Sequence, residues 1–321
     1  MKTAILNFST QFAYKPKVEN AKALKKKKSF LLTGMGGSHL NADLLLAIDP
    51  FFDLTIRHNY GLPEVSKQKM KDSLFIASSY SGNTEEVIDA YREARKKKID
   101  IAVISVGGIL IDLAKKDGVP YVEIPDTGIQ PRSALGLSFS ALLKLTGRDD
   151  VLKQMWALKK IISPQKLEKS GNALAEKLKN RVPIIYTSGR NETVAWNWKI
   201  KLNETGKIPA FYNTFPELNH NEMNGFDVVP SSKPLSEQFT FIFLRDDEDH
   251  PKIQKRMKVT ERLYKQRGLS VISMSLKGKT RLEKIFVSLL IADWTAVALA
   301  DIYGLESEQV PMVEEFKKLI A

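Results

Sequence analysis

The sequence predicts an α/β protein in which two successive halves each form a parallel sheet flanked by helices on both faces. Short runs rich in β-branched and aromatic residues alternate with longer helix-like segments along most of the chain, and strand–helix–strand alternation is typical of parallel sheets. The length of 321 residues suits two domains of about 150 residues each. A hydrophobic content of 43% and an aromatic content of 9% exclude a disordered or fibrous chain.

The first half is expected to form one sheet with helices between its strands. The predicted strands are Ser29–Thr33, Leu54–Arg57, Ser73–Ser78, Ile101–Val106 and Tyr121–Ile124. The predicted helices are Asn41–Ile48, Glu85–Lys97 and Gly136–Leu145. The polar stretch Thr146–Asp150 then interrupts the alternation, and the domain boundary is expected there, which gives domains 1–150 and 151–321.

The second half repeats the alternation without a close sequence repeat. Its predicted strands are Pro183–Thr187, Pro209–Tyr212, Phe239–Leu244 and Leu269–Met274. Its predicted helices are Gln165–Leu178, Val194–Leu202, Lys252–Arg267, Leu282–Tyr303 and Val313–Ile320. The longest apolar stretch, Ile285–Ile302, contains Asp293 and Asp301, which predicts a buried helix rather than a membrane span. The acidic run Arg245–Asp249 is expected to be a solvated loop.

The composition excludes several classes of protein. The chain has no cysteine, which excludes a disulfide scaffold, a thiol nucleophile and a cysteine-ligated metal. Its four histidines lack the H-x-x-x-H spacing of a common catalytic zinc site. The net charge of +12 comes from lysine clusters beside helical patterns, so solvated helix faces are expected rather than a nucleic-acid interface. No signal peptide is visible, and a cytoplasmic location is expected.

A glycine-rich loop, Gly34–Ser38, directly follows the first predicted strand. Glycines at the carboxyl end of a strand let backbone N–H groups approach a ligand closely. A dinucleotide-binding fingerprint would place its third glycine at position 39, where the chain has His39. The loop therefore predicts contact with a small ligand but not with a dinucleotide.

A second loop, Ser79–Glu86, lies between a predicted strand and a predicted helix. Ser79, Ser81 and Thr84 supply hydroxyls, and the following helix N-terminus supplies free N–H groups, which together suit a phosphate. The lysine of a P-loop is absent, so a monophosphate is expected rather than a nucleoside triphosphate. The alternative interpretation is an ordinary helix start capped by Asn83 and Glu86.

A third segment, Lys201–Glu222, carries Glu204, Glu217 and Glu222 and the histidine His220 among several asparagines. A loop of this composition has no evident packing purpose. A histidine beside carboxylates and amides is as readily catalytic as structural.

These loops, with Pro131–Gly136 and the segment from Pro311 to Lys317 in the same order, resemble the bifunctional phosphoglucose/phosphomannose isomerase family. The Ser79–Thr84 segment resembles the signature of the sugar isomerase (SIS) domain, which binds phosphosugars. The resemblance runs from about residue 30 to the C-terminus. It departs from the family at His39, where relatives carry glycine, and at Val310, where many carry a polar residue.

The resemblance implies two SIS domains, a homodimer and a hexose 6-phosphate substrate, with no cofactor and no metal. It implies that Glu204 is the base that moves a proton between C1 and C2, and that Arg132 stabilises the enediolate. It assigns ring opening to His220, donated by the partner subunit, and to Lys317, with Lys318 as the competing lysine. The residues that it assigns to the sugar phosphate are Gly36, Gly37, Ser38, Ser79, Ser81, Thr84 and Arg132.

The chemistry of these residue types agrees with an aldose–ketose isomerase. A carboxylate can take and return one proton, a fixed guanidinium can stabilise an enediolate, and a histidine can open a sugar ring near neutral pH. The expected reaction interconverts glucose 6-phosphate, and also mannose 6-phosphate, with fructose 6-phosphate through a cis-enediol. The alternative is a phosphosugar-binding regulator without catalysis. The presence of both Glu204 and His220 favours the enzyme.

Overall fold

The computed structural model describes residues Met1–Ile320, which form two compact units. The N-terminal unit is Asn7–Ser163, and the C-terminal unit combines Met1–Leu6 with the chain from Pro164 onward. Elements of the first half are α1 (Lys2–Leu6), α2 (Phe8–Gln11), β1 (Ser29–Thr33), α3 (Leu40–Ile48), β2 (Leu54–Arg57), α4 (Lys67–Asp72), β3 (Ser73–Ser78), α5 (Glu85–Lys96), β4 (Ile101–Ser105), α6 (Gly108–Asp117), β5 (Tyr121–Glu123), α7 (Leu135–Leu145) and α8 (Asp149–Ile161). Those of the second half are α9 (Glu168–Leu178), β6 (Val182–Ser188), α10 (Glu192–Glu204), β7 (Phe211–Phe215), α11 (Glu222–Gly225), α12 (Lys233–Ser236), β8 (Phe239–Arg245), α13 (Pro251–Gln266), β9 (Ser270–Ser275), α14 (Arg281–Ile302) and α15 (Pro311–Ile320).

The N-terminal unit contains a parallel sheet with the strand order β2-β1-β3-β4-β5. Alternate side chains of the strands, such as Leu31 and Phe75, pack against α5 and α6. Helices α3 and α7 pack together and contact strands of the same sheet. The chain passes from β1 outward to β2, then returns to β3 on the other side of β1. This reversal creates a switch point at the carboxyl ends of β1 and β3, where ligands bind in open α/β sheets.

The C-terminal unit contains a parallel sheet with the strand order β7-β6-β8-β9, so its switch point lies between β6 and β8. One face of this sheet carries an aromatic cluster in which Tyr186 and Phe241 pack against Tyr264 of α13. Helices α9, α10 and α14 pack together, and α10 also contacts the sheet. The expected α/β class with two parallel, helix-flanked sheets is confirmed.

Helix α14 is the central helix of the C-terminal unit. It is long and apolar enough to cross a membrane, but 72% of its most apolar window is buried inside the protein. Its Asp293 accepts a hydrogen bond from Lys201 of α10 at 2.6 Å, and both side chains are buried. The prediction of a buried helix is therefore confirmed, and the charge that interrupts it has a buried partner.

The observed division of the chain differs from the one expected at residues 150 and 151. That point falls in the first turn of α8, a helix absent from the sequence prediction, which packs on α7 and α2 of the N-terminal unit. The units instead divide between Ser163 and Pro164. Asp149 and Asp150 indicated a loop in the sequence, whereas in the structure they occupy the first turn of a helix, where negative charge complements the helix dipole.

Candidate active site

The two hydroxyl-rich loops of the N-terminal unit meet at its switch point. The Gly34–Ser38 loop follows β1 and the Ser79–Thr84 loop follows β3, and β1 and β3 are paired neighbours. The backbone N–H of Tyr80 donates to Ser38 Oγ at 2.9 Å, and Ser78 Oγ donates to the Ser38 carbonyl at 2.7 Å. These bonds hold the two loops in one fixed arrangement.

The Ser79–Thr84 loop is held mainly by its own hydroxyls. Ser79 Oγ lies 2.7 Å from Thr84 Oγ1 and accepts the backbone N–H of Gly82 at 3.1 Å. The exposed Ser81 Oγ accepts the backbone N–H of Asn83 at 3.2 Å. Because Thr84 precedes α5 and its hydroxyl bonds to Ser79 rather than to a helix amide, the first N–H groups of α5 are available to an anion.

The alternative of a helix start capped by Asn83 and Glu86 is wrong. The residue that precedes α5 is Thr84, and Asn83 Oδ1 instead accepts the backbone N–H of Ile109 at 3.1 Å. This bond ties the loop to the segment after β4.

The segment after β4 is a part of the site that the sequence analysis missed. Gly82 has a φ of +75°, and a Cβ at this position would overlap the carbonyl oxygen of Gly107. The N–H of Leu110 donates to the Gly82 carbonyl at 3.0 Å. The glycine pair Gly107–Gly108 directly after a strand was the signal that could have identified it.

Arg132 lies beside the glycine loop. It occupies a short 3₁₀ turn, Pro131–Ser133, and is 2% exposed. A Cβ added at Gly37 would lie 3.1 Å from the backbone nitrogen of Arg132, so glycine at position 37 allows this close approach. Gly37, Ser38, Tyr80 and Pro131 line one small cavity. The structure thus gathers the expected phosphate-binding residues of the N-terminal unit at one sheet edge.

Two larger clefts in the C-terminal unit, of about 720 and 650 Å³, contain none of the candidate site residues in their walls. The first is bounded by α9 and the end of α14, and the second lies at the amino ends of β8 and β9. Neither combines hydroxyl-rich loops with a helix N-terminus at a switch point, so the N-terminal loops remain the better candidate.

Glu204 is the last residue of α10 and is half-buried. Its backbone carbonyl accepts Lys207 Nζ at 2.6 Å, and the same ammonium group donates to the carbonyl of Gln309. Gln309 lies just before α15, which carries Lys317. The end of α10 and the start of α15 therefore share one corner of the C-terminal unit.

Lys317 and Lys318 both lie in the last turns of α15, and both are exposed. Lys317 Nζ donates to Glu314 Oε1 at 2.8 Å along the same helix. The choice between the two lysines stays open.

His220 lies at the opposite edge of this sheet from Glu204. It is exposed and follows β7 through the short turn Glu217–Asn219. Helix α10 begins where β6 ends and must carry the chain back to the start of the parallel strand β7, so Glu204 lies near the amino end of β7. The five residues of β7 separate the two edges by about 16 Å.

The loop that carries His220 is anchored through Glu222. The Glu222 carboxylate accepts hydrogen bonds from the Tyr186 hydroxyl and from Asn213 Nδ2. Burial, the neighbouring Tyr264 and the bond to Glu222 all raise the pKa of Tyr186, so this hydroxyl stays a donor. Glu222 thus has a positioning role in the loop, and Glu217 is exposed.

The switch point of the C-terminal unit is occupied by its own charges. Asp246 follows β8 and accepts Lys284 Nζ at 2.7 Å and Arg281 Nη1 at 3.1 Å. Burial opposes ionisation of Asp246, but Lys284 and Arg281 hold its pKa below the usual range. Asp249 is also buried and accepts Ser188 Oγ at 2.6 Å. The expectation of a solvated acidic loop is therefore wrong for Asp246 and Asp249, which are buried, and correct for Asp247 and Glu248, which are exposed. The lysine and arginine bound to Asp246 occupy this edge of the sheet.

Comparisons with known proteins agree with this architecture. Residues 167–320 match the family model of the bacterial phospho-glucose isomerase C-terminal SIS domain. The chain is 35% identical over 308 residues to the bifunctional phosphoglucose/phosphomannose isomerase of Caldicellulosiruptor bescii, covering 91% of this chain and 89% of that protein. The protein of the same name from Aquifex aeolicus is 29% identical over 324 residues, with 97% and 95% covered. The crystal structure of glucosamine-6-phosphate deaminase from Thermotoga maritima has the same fold, with a TM-score of 0.67 at 15% identity over 96% of this chain and 97% of that one.

Proposed function

The chain belongs to the bifunctional phosphoglucose/phosphomannose isomerase family, and from this premise we propose how its own residues carry out the reaction. It is a sugar-phosphate isomerase that interconverts glucose 6-phosphate and mannose 6-phosphate with fructose 6-phosphate. Within the structure, the supporting observation is the pair of hydroxyl-rich loops that Tyr80 N–H and Ser38 Oγ join at a switch point.

The phosphate of the substrate binds at these two loops. The backbone of Gly36 and Gly37 and the hydroxyls of Ser38, Ser79, Ser81 and Thr84 surround it, with the N-terminus of α5 supplying further N–H donors. The 12-residue helix α5 adds a positive potential at its start. A monophosphate suits this cradle because the loop supplies hydroxyls and amides without the lysine of a triphosphate site.

Glu204 is the base of the isomerisation. From the open-chain aldose it takes the proton on C2, and the electron pair of that C–H bond forms the C1=C2 double bond of a cis-enediolate. The same proton returns to C1 while the hydroxyl proton passes from O2 to the negative O1, which leaves C2 as the ketone carbonyl and C1 as a primary alcohol, so no oxidant or reductant is needed. The Arg132 guanidinium stabilises the negative oxygen of the enediolate without titrating, and we propose that this charge serves in place of a metal ion.

His220 and Lys317 open the sugar ring, with Lys318 as the alternative to Lys317. We propose that His220 acts in the site of a partner subunit in a homodimer. The support is the position of His220 at the sheet edge opposite Glu204, about 16 Å away along β7. The ring-opening group and the base must both reach the same small sugar. A histidine from the partner subunit meets this requirement without crossing the sheet. We further propose that the reaction takes place in the cytoplasm.

The reaction is tested by proton NMR of the purified chain with fructose 6-phosphate in D₂O and excess chelator. We expect glucose 6-phosphate and mannose 6-phosphate to appear, and the Glu204→Gln variant to lose turnover while it still binds fructose 6-phosphate. Glu192→Gln, which removes an exposed carboxylate at the other end of the same helix, should retain full activity. Binding without turnover in the unmodified chain would leave the phosphosugar-binding regulator as the function.

The role of the partner subunit is tested by mixing two inactive variants, Glu204→Gln and His220→Gln. If His220 acts across the dimer, a hybrid dimer has one complete site, and random assortment restores about a quarter of the wild-type activity. If His220 acts within its own chain, each hybrid site lacks one group and activity stays at the level of the separate variants.

A further inference from the structure

Two of the four histidines and one carboxylate meet beside the glycine loop, and the proposed isomerisation uses none of them. His39 directly follows Ser38, Asp43 lies one turn later on α3, and His58 is the first residue after β2. Thr33 at the end of β1 pairs in register with Arg57 at the end of β2. The parallel pairing of these strands therefore brings His58 to the start of α3.

The three side chains offer nitrogen and oxygen ligands within a small volume. His39 Nδ1 lies 2.5 Å from Asp43 Oδ2, and the centres of the His39 and His58 rings are 4.1 Å apart. One ligand atom from each residue lies within 4.8 Å of the other two. His39 is buried, Asp43 is partly exposed and His58 is exposed, so solvent reaches the cluster from one side.

We propose that His39, Asp43 and His58 bind one divalent transition-metal cation, with water completing its coordination. Two imidazoles and one carboxylate form a ligand set typical of zinc and neighbouring metals, whereas Mg²⁺ and Ca²⁺ prefer oxygen ligands alone. Zinc bound to His39 Nδ1 and Asp43 would hold those two atoms about 3.3 Å apart in tetrahedral geometry. The present pair therefore needs to open by less than about 1 Å.

Binding replaces a proton with the metal ion. In the metal-free chain a hydrogen bond joins the His39 ring to the Asp43 carboxylate. The cation takes the place of the proton in that bond, and the displaced proton passes to solvent.

These residues also have structural contacts. The His39–Asp43 pair spans one turn of helix and could serve only to fix the start of α3. His58 hydrogen-bonds the backbone of Gly34, which would hold its ring beside the glycine loop. Neither role requires contact between the two imidazoles, whose ring centres lie 4.1 Å apart. The metal proposal uses all three residues, and it depends on neither the isomerase reaction nor its substrate.

The test is titration calorimetry of the chelator-stripped full-length chain with ZnCl₂, together with the absorption spectrum of the Co²⁺ form. We expect one equivalent of Zn²⁺ and a four- or five-coordinate Co²⁺ spectrum. Mutation of residues that merely hydrogen-bond to a metal ligand weakens metal affinity about 10–100-fold. Loss of a ligand itself in His58→Gln or Asp43→Asn should therefore weaken Zn²⁺ affinity by at least about 100-fold. His58→Gln changes an exposed side chain, and its thermal unfolding should match the unmodified chain.

Two variants serve as matched controls. His250→Gln removes an exposed histidine at the start of α13, and Asp247→Asn removes an exposed member of the acidic group Asp246–Glu248. Both should leave the affinity and the stoichiometry unchanged. Zn²⁺ binding that is absent, that persists in His58→Gln and Asp43→Asn, or that is lost in Asp247→Asn would overturn the proposal. None of these measurements includes a sugar phosphate, so failure here is distinct from failure of the isomerase assignment.

Discussion

Replacing Gly82 by alanine tests the arrangement of the Ser79–Thr84 loop most directly. Gly82 has a φ of +75°, which costs an L-residue about 1–2 kcal/mol. An added Cβ would also overlap the Gly107 carbonyl oxygen and lie 2.8 Å from its carbon and 2.9 Å from Ser105 Oγ. Since the obstructing carbonyl belongs to the backbone, the loops must separate, and crowding of this kind adds about 1–3 kcal/mol.

Gly118→Ala is the matched control for this substitution. Gly118 directly follows α6 with a φ of +66°, and a Cβ there would meet open space. It should therefore show the conformational cost of about 1–2 kcal/mol alone, measured as the free energy of unfolding in urea. Gly82→Ala should lose about 1–3 kcal/mol more than the control.

The kinetic effect should also separate the two variants. Gly82→Ala displaces the amides and hydroxyls that we propose hold the phosphate, so its KM for fructose 6-phosphate should rise at least about tenfold, equivalent to about 1.4 kcal/mol of binding. Gly118→Ala should leave KM unchanged. Equal unfolding energies and equal KM values in the two variants would refute the close packing of the Ser79–Thr84 loop against Gly107.

The remaining predictions concern stability. Lys201→Met removes the ammonium group that donates to buried Asp293 and should lower the free energy of unfolding by about 3–5 kcal/mol. Adding Asp293→Leu should recover most of the loss in urea unfolding, and a double variant no more stable than Lys201→Met would contradict this account. Gly171→Ala places a methyl group against Trp294 where α9 meets α14. It should lower the free energy of unfolding, measured by thermal denaturation, by about 1–3 kcal/mol. Gly225→Ala, whose Cβ would meet open space, should be close to neutral, and similar melting curves for both variants would count against tight packing of α9 on α14.

Three strands of the N-terminal sheet could be predicted from the sequence because each is a short run of apolar and β-branched residues between polar segments. Ser29–Thr33, Leu54–Arg57 and Ser73–Ser78 begin and end where the pattern placed them. Helix α8 was missed because its acidic start resembles a loop and its apolar residues alternate with lysines. That one omission also moved the domain boundary, since the packing of α8 decides which unit it joins.

One part of the candidate site could likewise be predicted from the sequence, and another part could not. The loops Gly34–Ser38 and Ser79–Thr84 were identifiable because glycines, hydroxyls and a following helix start lie within a few residues of one another. The roles of Gly107 and His58 were not, because each acts on a loop from a different part of the chain. The position of His220 relative to Glu204 depends on strand order, which local sequence does not encode.

The sequence alone determined the α/β class, the alternation of strands and helices, and the composition of the loops Gly34–Ser38 and Ser79–Thr84, because these properties depend on near neighbours in the chain. The tertiary structure decided which charges are partners. Lys201 and Asp293 are 92 residues apart in the chain and form a buried ion pair. The sequence predicted a solvated Asp246, whereas in the structure Lys284, 38 residues later in the chain, neutralises it. A charged side chain can be buried only when folding brings an oppositely charged group next to it. The neighbouring residues in the chain do not show which group that will be.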